Sequence, residues 1–250
     1  MINVKISESR RVATPQITVV FAYYENPEML ALQWREISQY PDALKEIIEI
    51  IVVDDGSRLS PASAVIRPEN LPAHSIYRIA EDVRWNQDAA RNIGAHEAAA
   101  SWLLLTDIDH VVPAQTLESL ANMDKDSQVF YSLGRVKFND GERRQSHPNS
   151  YVMSRELYWA VGGHDEDYAG IYGKDFLFRK RAKKRASEVY LERLYLARVG
   201  SLTVADAGTH TITRTNAFRN RVWGYLLQLL KAVRLWRGVQ TLTYEYQKIV

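Results

Sequence analysis

A chain of 250 residues, 46% hydrophobic and 25% charged, has the make-up of a soluble globular protein, long enough for one large domain whose core needs no covalent staples. It contains no cysteine, which excludes disulfides, thiolate catalysis and cysteine-bound zinc and suits a cytoplasmic setting. The formal charge of +2 is near neutral, so basic character must be local; the start lacks the apolar core of a signal peptide, and no apolar run reaches membrane-spanning length.

"QITVVFAYY" (16–24), bounded by Pro15 and by "ENP", reads as a buried parallel strand. "NPEMLALQWREISQY" (26–40) spaces Met29, Leu30, Leu32, Trp34 and Ile37 for a helix, with Pro27 tolerated in its first turn and Pro41 closing it. "EIIEIIVVDDGS" (46–57) predicts a second buried strand that runs into a turn, and "SIYRIAE" (75–81) a third. Alanine-rich "NQDAARNIGAHEAAA" (86–100) predicts a helix and "SWLLLTDID" (101–109) the next strand. A short helix, "AQTLESLANM", and a strand, "QVFYSLGRVKF" (128–138), follow. From Ser150 the chain reads as strand, short helix, glycine-rich loop and basic helix, and "SLTVADAG" (201–208) as a last strand. The tail from Asn216 reads as amphipathic helix, with Phe218, Trp223, Leu226, Leu227, Leu230, Val233 and Trp236 along one face that folds back onto the domain. This alternation predicts an α/β domain with a mainly parallel central sheet over 1–215 and a helical C-terminal extension over 216–250.

Carboxylates stand where two predicted strands end: Asp54 and Asp55 on one, Asp107 and Asp109 on the other. Ligands of open α/β sheets bind at those ends. Four carboxylates on one edge repel unless a cation or a donor-rich ligand sits there. If the backbone stays extended through Asp-x-Asp, both side chains face one way and His110 faces away. Hard oxygen ligands of this kind suit Mg²⁺ or Mn²⁺ shared with a diphosphate. Taken singly, each motif reads more simply as a solvated turn; their ordered combination favours the ion and diphosphate.

That combination resembles the inverting glycosyltransferases of family 2, which have the GT-A fold, a Rossmann-like nucleotide-sugar-binding domain. "TVVFAYYENPEML", "EIIVVDDGS", "WNQDAARNIGAHEAAASWLLLTDIDHVVP" and "SRELYWAVGGHDEDYAGIYGKDFLFRKR" are similar, in order, to the family's segments over roughly residues 15 to 185. The resemblance implies that Ala22 and Tyr23 line the nucleoside pocket, that Asp54, with Asp55 beside it, meets the base, and that Arg91 helps hold the nucleotide. It implies that Asp107 and Asp109 face ribose, diphosphate and metal, with Asp109 the direct ligand and His210 a further one. Asp175 falls at the general base. The implied donor is a UDP-sugar and the implied ion Mn²⁺ or Mg²⁺. This chain departs from the family in having Ala22, Tyr23, Tyr24 and Glu25 where Pro-Thr-Tyr-Asn often follows the first strand, His164 in the glycine-rich loop, and Lys174 where a carboxylate is usual.

His164, Asp165 and Tyr172 are candidate acceptor contacts, against a loop-packing role. Six of the seven residues from Arg179 to Arg185 are basic. Helical spacing puts Arg181, Lys184 and Arg185 in one row and Arg179 and Lys183 in another, so one row is expected to meet an anionic acceptor and the other solvent. The expected acceptor is a glycan or lipid-linked glycan. The rivals are a hydroxymethylated pyrimidine in phage-type DNA, met by the basic helix 179–185, and a catalytically silent nucleotide- or glycan-binding module. The tail could also touch a membrane surface peripherally.

Overall fold

The computed structural model describes residues 14–83, 85–137, 143–144, 147, 149–171, 174, 176–199 and 217–250. Its strands are β1 (Ile17–Tyr23), β2 (Ile48–Asp54), β3 (Ala73–Ile79), β4 (Trp102–Asp107), β5 (His110–Val111), β6 (Val129–Lys137), β7 (Arg143–Arg144), β8 (Tyr151–Ser154), β9 (Ser187–Arg198) and β10 (Tyr246–Lys248). Its helices are α1 (Pro27–Ser38), α2 (Asp42–Lys45), α3 (Gln87–Glu97), α4 (Ala114–Asn122), α5 (Arg155–Ala160), α6 (Phe176–Arg185) and α7 (Ala217–Ala232). The strands form one sheet in the order β10-β3-β2-β1-β4-β8-β6-β9-β5, with β7 paired to β6. The central four, β3-β2-β1-β4, run parallel, and β8 and β10 flank them antiparallel.

Continuous apolar runs make these central strands because both faces of the sheet are covered. Along β1, Val19 and Phe21 enter the core that holds Met29, Leu30, Trp34 and Ile37 of α1. Val20 points the other way, to Ala89, Ala90 and Ile93 of α3. Asn26 starts α1 by accepting the Met29 N–H at 3.3 Å, and Pro27 occupies the first turn. Helix α3 lies close on β1: a Cβ added at Gly94 would stand 2.2 Å from Cγ1 of Val20.

Three features depart from the sequence reading. The backbone does not stay extended through Asp109; β4 ends at Asp107 and the chain turns at Ile108 and Asp109. Strand β9 went unread, because its side chains are mostly exposed until Leu196 and carry no buried run. The tail is helical through Ala232, after which the chain returns to the sheet and adds β10 beside β3. The tail's predicted stripe is not one buried face. Leu227 is buried, while Trp223, Leu226, Val233 and Trp236 are each at least 40% exposed, and the side chain of Phe218 lies outside the described residues. The strand expected over 201–208 also lies outside them. No helix among the described residues is long and apolar enough to cross a membrane.

Candidate active site

Register brings the carboxylates together. Asp54 pairs with Tyr23 and Asp107 with Ala22, on opposite sides of β1. Two strand spacings, roughly 10 Å, therefore separate their backbones. Asp54 is committed to its own loop, accepting from the N–H groups of Ser57 and Ala62 at 2.8 Å each. Asp55 is buried as well. One of its oxygens accepts from Asn86 N at 2.8 Å, and the other, Oδ1, has no hydrogen bond among the described residues. Burial pushes the Asp55 carboxyl well above the usual range, against the Asn86 bond and with help from the charges of Asp54, Asp82 and Asp88. Of the two carboxylates, Asp55 rather than Asp54 is the one with an oxygen left without a hydrogen bond among the described residues.

Glu25 closes the same loop. Its carboxylate accepts from Arg58 N at 2.5 Å, Leu59 N at 2.8 Å and Ser60 N at 2.7 Å, from a backbone with φ of 45°. Tyr23 adds its hydroxyl to Ser60 O at 2.5 Å. The residues that depart from the family pattern therefore build the loop beside Asp54 and Asp55.

Asp107 ends β4. Arg91 of α3, 1% exposed, donates to its Oδ1 at 2.5 Å, so Arg91 serves first as the anchor of this carboxylate. Nδ1 of His147 lies 3.5 Å from Oδ2. The turn at Ile108 and Asp109 also brings His110 here. Single ligand atoms from Asp107, His110 and His147 all lie within 4.8 Å of one another, and the two imidazole rings are 4.9 Å apart. His110 is fully buried. Its Nδ1 lies 2.6 Å from Asp109 Oδ1, an ion-pair contact with its chain neighbour, and its Nε2 has no hydrogen bond among the described residues. Burial pushes His147 down to about 4, against the pull of Asp107, which leaves its ring neutral.

Asp109 is held elsewhere, with Oδ2 at 3.2 Å from Arg198 Nε. Burial raises its carboxyl, but His110 and Arg198 outweigh that and hold it below the usual range. The chain was expected to stay extended, with His110 pointing away from Asp107; instead the turn places His110, and not Asp109, beside Asp107 and His147. His147 was missed: it stands far from the strand ends in sequence and carries no local signal.

His164 is enclosed rather than presented to an acceptor. Its ring nitrogens meet Tyr158 at 2.9 Å and Tyr151 at 3.2 Å, and its ring stacks on Phe178 at 4.3 Å. Asp165 holds Lys231 of α7 at 2.8 Å. Arg179 and Lys183 both pair with Glu188 of β9, so that row of the basic helix is occupied within the fold. Arg181 donates to Gly163 O at 2.5 Å, and Lys184 and Arg185 are exposed. Tyr172, Asp175 and His210 lie outside the described residues; Lys174, beside Asp175, is buried with its ammonium 3.9 Å from the Tyr225 ring centroid.

A central parallel sheet flanked by helices, with acidic strand ends, is the layout of a GT-A nucleotide-sugar transferase domain. The model of glycosyl transferase family 2 matches residues 18–185, and the chain belongs to that family. No curated protein matches it. Among solved structures it is similar to S. aureus TarS 1–349 in complex with UDP-GlcNAc, with 12% identity and a TM-score of 0.62 over 90% of this chain and 68% of that one. GalNAc-T7 with UDP, GalNAc and Mn²⁺ has 15% identity and a TM-score of 0.61 over 88% and 48%. The mannosyltransferase PcManGT from Pyrobaculum calidifontis, in complex with GDP-Man and Mn²⁺, has 18% identity and a TM-score of 0.57 over 91% and 66%. In other matches the chain spans 61% of TarS 1–349 and 37% of the longer TarS.

Proposed function

We propose that this protein is a divalent-metal-dependent, inverting glycosyltransferase that moves a sugar from a nucleotide sugar, in the first instance a UDP-sugar, to a hydroxyl of a glycan or lipid-linked glycan. The observation that carries the reading is the convergence of Asp107, His110 and His147 at the strand ends, across β1 from the free oxygen of Asp55. Structural neighbours that hold UDP or GDP-Man with Mn²⁺ support it.

The residues present fit a cation. Nε2 of the buried His110 has no hydrogen bond among the described residues; an unsatisfied buried nitrogen costs about 1–3 kcal/mol, which coordination would offset. Asp107, His110 and His147 would hold the ion, with Mn²⁺ preferred to the oxygen-seeking Mg²⁺; when bound, it neutralises charge on the leaving diphosphate. Asp109 would join only if its pair with Arg198 opened. Asp55 would accept an N–H of the base, and Arg91 would keep Asp107 in place. Asp175 is the proposed general base: it takes the proton from the acceptor hydroxyl as that oxygen attacks the anomeric carbon, and one displacement inverts the centre. Duplex DNA is the weaker acceptor, because half of the basic helix's expected rows are taken by Glu188.

Calorimetric titration of UDP tests the site. UDP should bind with Mn²⁺, lose binding in EDTA, and lose it in Asp107→Asn; failure of UDP and GDP to bind with any divalent ion would end the reading. For the base, Asp175→Asn should leave UDP binding intact and lower turnover by roughly a hundredfold or more. Near-normal turnover would place the base elsewhere.

A further inference from the structure

Between α6 and the end of α7 lies a cavity of about 580 Å³, within the size range of small-ligand sites. Lys180, Arg181, Lys184, Lys231, Arg234 and Arg237 line it, against one carboxylate, Asp165. Two of these cations are already matched: Lys231 sits between Asp165 and Asp167, and Arg237 pairs with Asp167. Among the described residues, no carboxylate lies in ion-pair range of Lys180, Arg181, Lys184 or Arg234. Four like charges around one hollow repel each other unless an anion enters. Nε of Arg181 is also buried there without a hydrogen bond.

A second observation concerns Arg234. The end of α7 is closed by two bonds, Leu235 N to Leu230 O at 2.8 Å and Arg234 N to Lys231 O at 3.2 Å. This is the Schellman pattern, whose left-handed position is ordinarily glycine. Here Arg234 holds it, with φ of 60°. An L side chain in that conformation costs about 1 kcal/mol, and glycine would relieve it. A strained residue whose guanidinium lines a cationic hollow points to use of its charge. Trp236, 40% exposed, adds a flat apolar wall.

We propose that this cavity is an anion site that takes a phosphate ester borne by the acceptor. The inference rests on the transferase reading for the word acceptor, although not for the anion. The contact route to the strand ends is short: Arg181 bonds Gly163, the neighbouring His164 bonds Asn92, and Asn92 adjoins Arg91, which anchors Asp107. The phosphate can belong to a soluble acceptor or to a lipid. Exposed Tyr225, Leu226 and Leu229 on α7 would suit the latter.

The test is binding of tripolyphosphate to the full chain in EDTA, where the metal-dependent nucleotide site is silent. Wild type should bind, and Lys180→Glu/Lys184→Glu/Arg234→Glu should weaken binding by roughly tenfold or more, as charge-assisted bonds are lost. Arg234→Gly guards against misfolding: it should raise Tm and still weaken tripolyphosphate. Unchanged affinity in both variants, or no binding by wild type, overturns the proposal. Phosphatidylcholine vesicles with and without phosphatidic acid separate the sources. Co-sedimentation that needs phosphatidic acid and is lost in the triple variant marks a lipid phosphate; tripolyphosphate binding alone marks a soluble ester. UDP binding with Mn²⁺ is measured on the same variants. If UDP fails everywhere while tripolyphosphate responds as stated, the transferase reading falls and the anion site stands.

Discussion

His164 shows how one side chain sets a pH limit. Burial pushes its imidazole well below the usual range, and the positive charges of Arg91 and Arg181 push the same way. The unfolded chain takes up that proton near pH 6.5 and the folded chain does not, so stability falls as pH drops below about 6.5, by at most about 1.4 kcal/mol per pH unit. His164→Gln should be less stable at pH 8, having lost the stack on Phe178, yet show a shallower decline between pH 6.5 and 5. Urea midpoints across that range measure it; parallel curves for the two proteins would refute it. At this scale the sequence was readable where chemistry is local. Asp55 and Asp107 could be placed at strand ends from apolar runs followed by carboxylates, whereas Arg91 was singled out only by the family resemblance. The partnership of His110 with His147 could not be placed, since it depends on a turn after β4 and on a loop remote in the chain.

At the scale of elements, β1 and α3 depend on a missing methyl group. Gly94 lets the helix approach Val20 more closely than any side chain would allow. Gly94→Ala should gain helix propensity of about 1 kcal/mol, yet lose about 1–3 kcal/mol net to overpacking. Val20→Ala would be destabilising by itself. Combined with Gly94→Ala it should recover part of the loss, so the pair should be strongly non-additive in a double-mutant cycle. Additive losses would show that the helix simply moves away. The central strands were legible because burial on both faces leaves an unbroken apolar run. Strand β9 was not, because an exposed edge region is selected by pairing with β6 rather than by composition.

For the whole molecule, the segment after α7 closes the structure. Glu166, 3% exposed, accepts from Asn92 Nδ2 at 2.7 Å, Leu242 N at 2.7 Å, Thr243 N at 2.7 Å and Thr243 Oγ1 at 2.6 Å. One carboxylate thus ties α3, the glycine-rich loop and the return to β10 together. Glu166→Gln turns an acceptor-only group into a partial donor facing four donors. It should cost on the order of 2–4 kcal/mol in urea unfolding and make the chain beyond Ala232 more open to proteolysis. An unchanged midpoint would mean that this junction is incidental.

The same junction has a consequence for synthesis. As the chain leaves the ribosome, the β1 to β4 core is complete long before Leu242 and Thr243 emerge. Until they do, Glu166 is a carboxylate without its backbone donors, Lys231 has no settled helix end, and the edge of β3 stays open to any strand that meets it. The nascent protein therefore passes through a stage in which the strand-end site is framed and the far wall of the basic cavity is still missing. Exposed edges of that kind attract chaperones and misassembly, and their duration is set by the rate of translation.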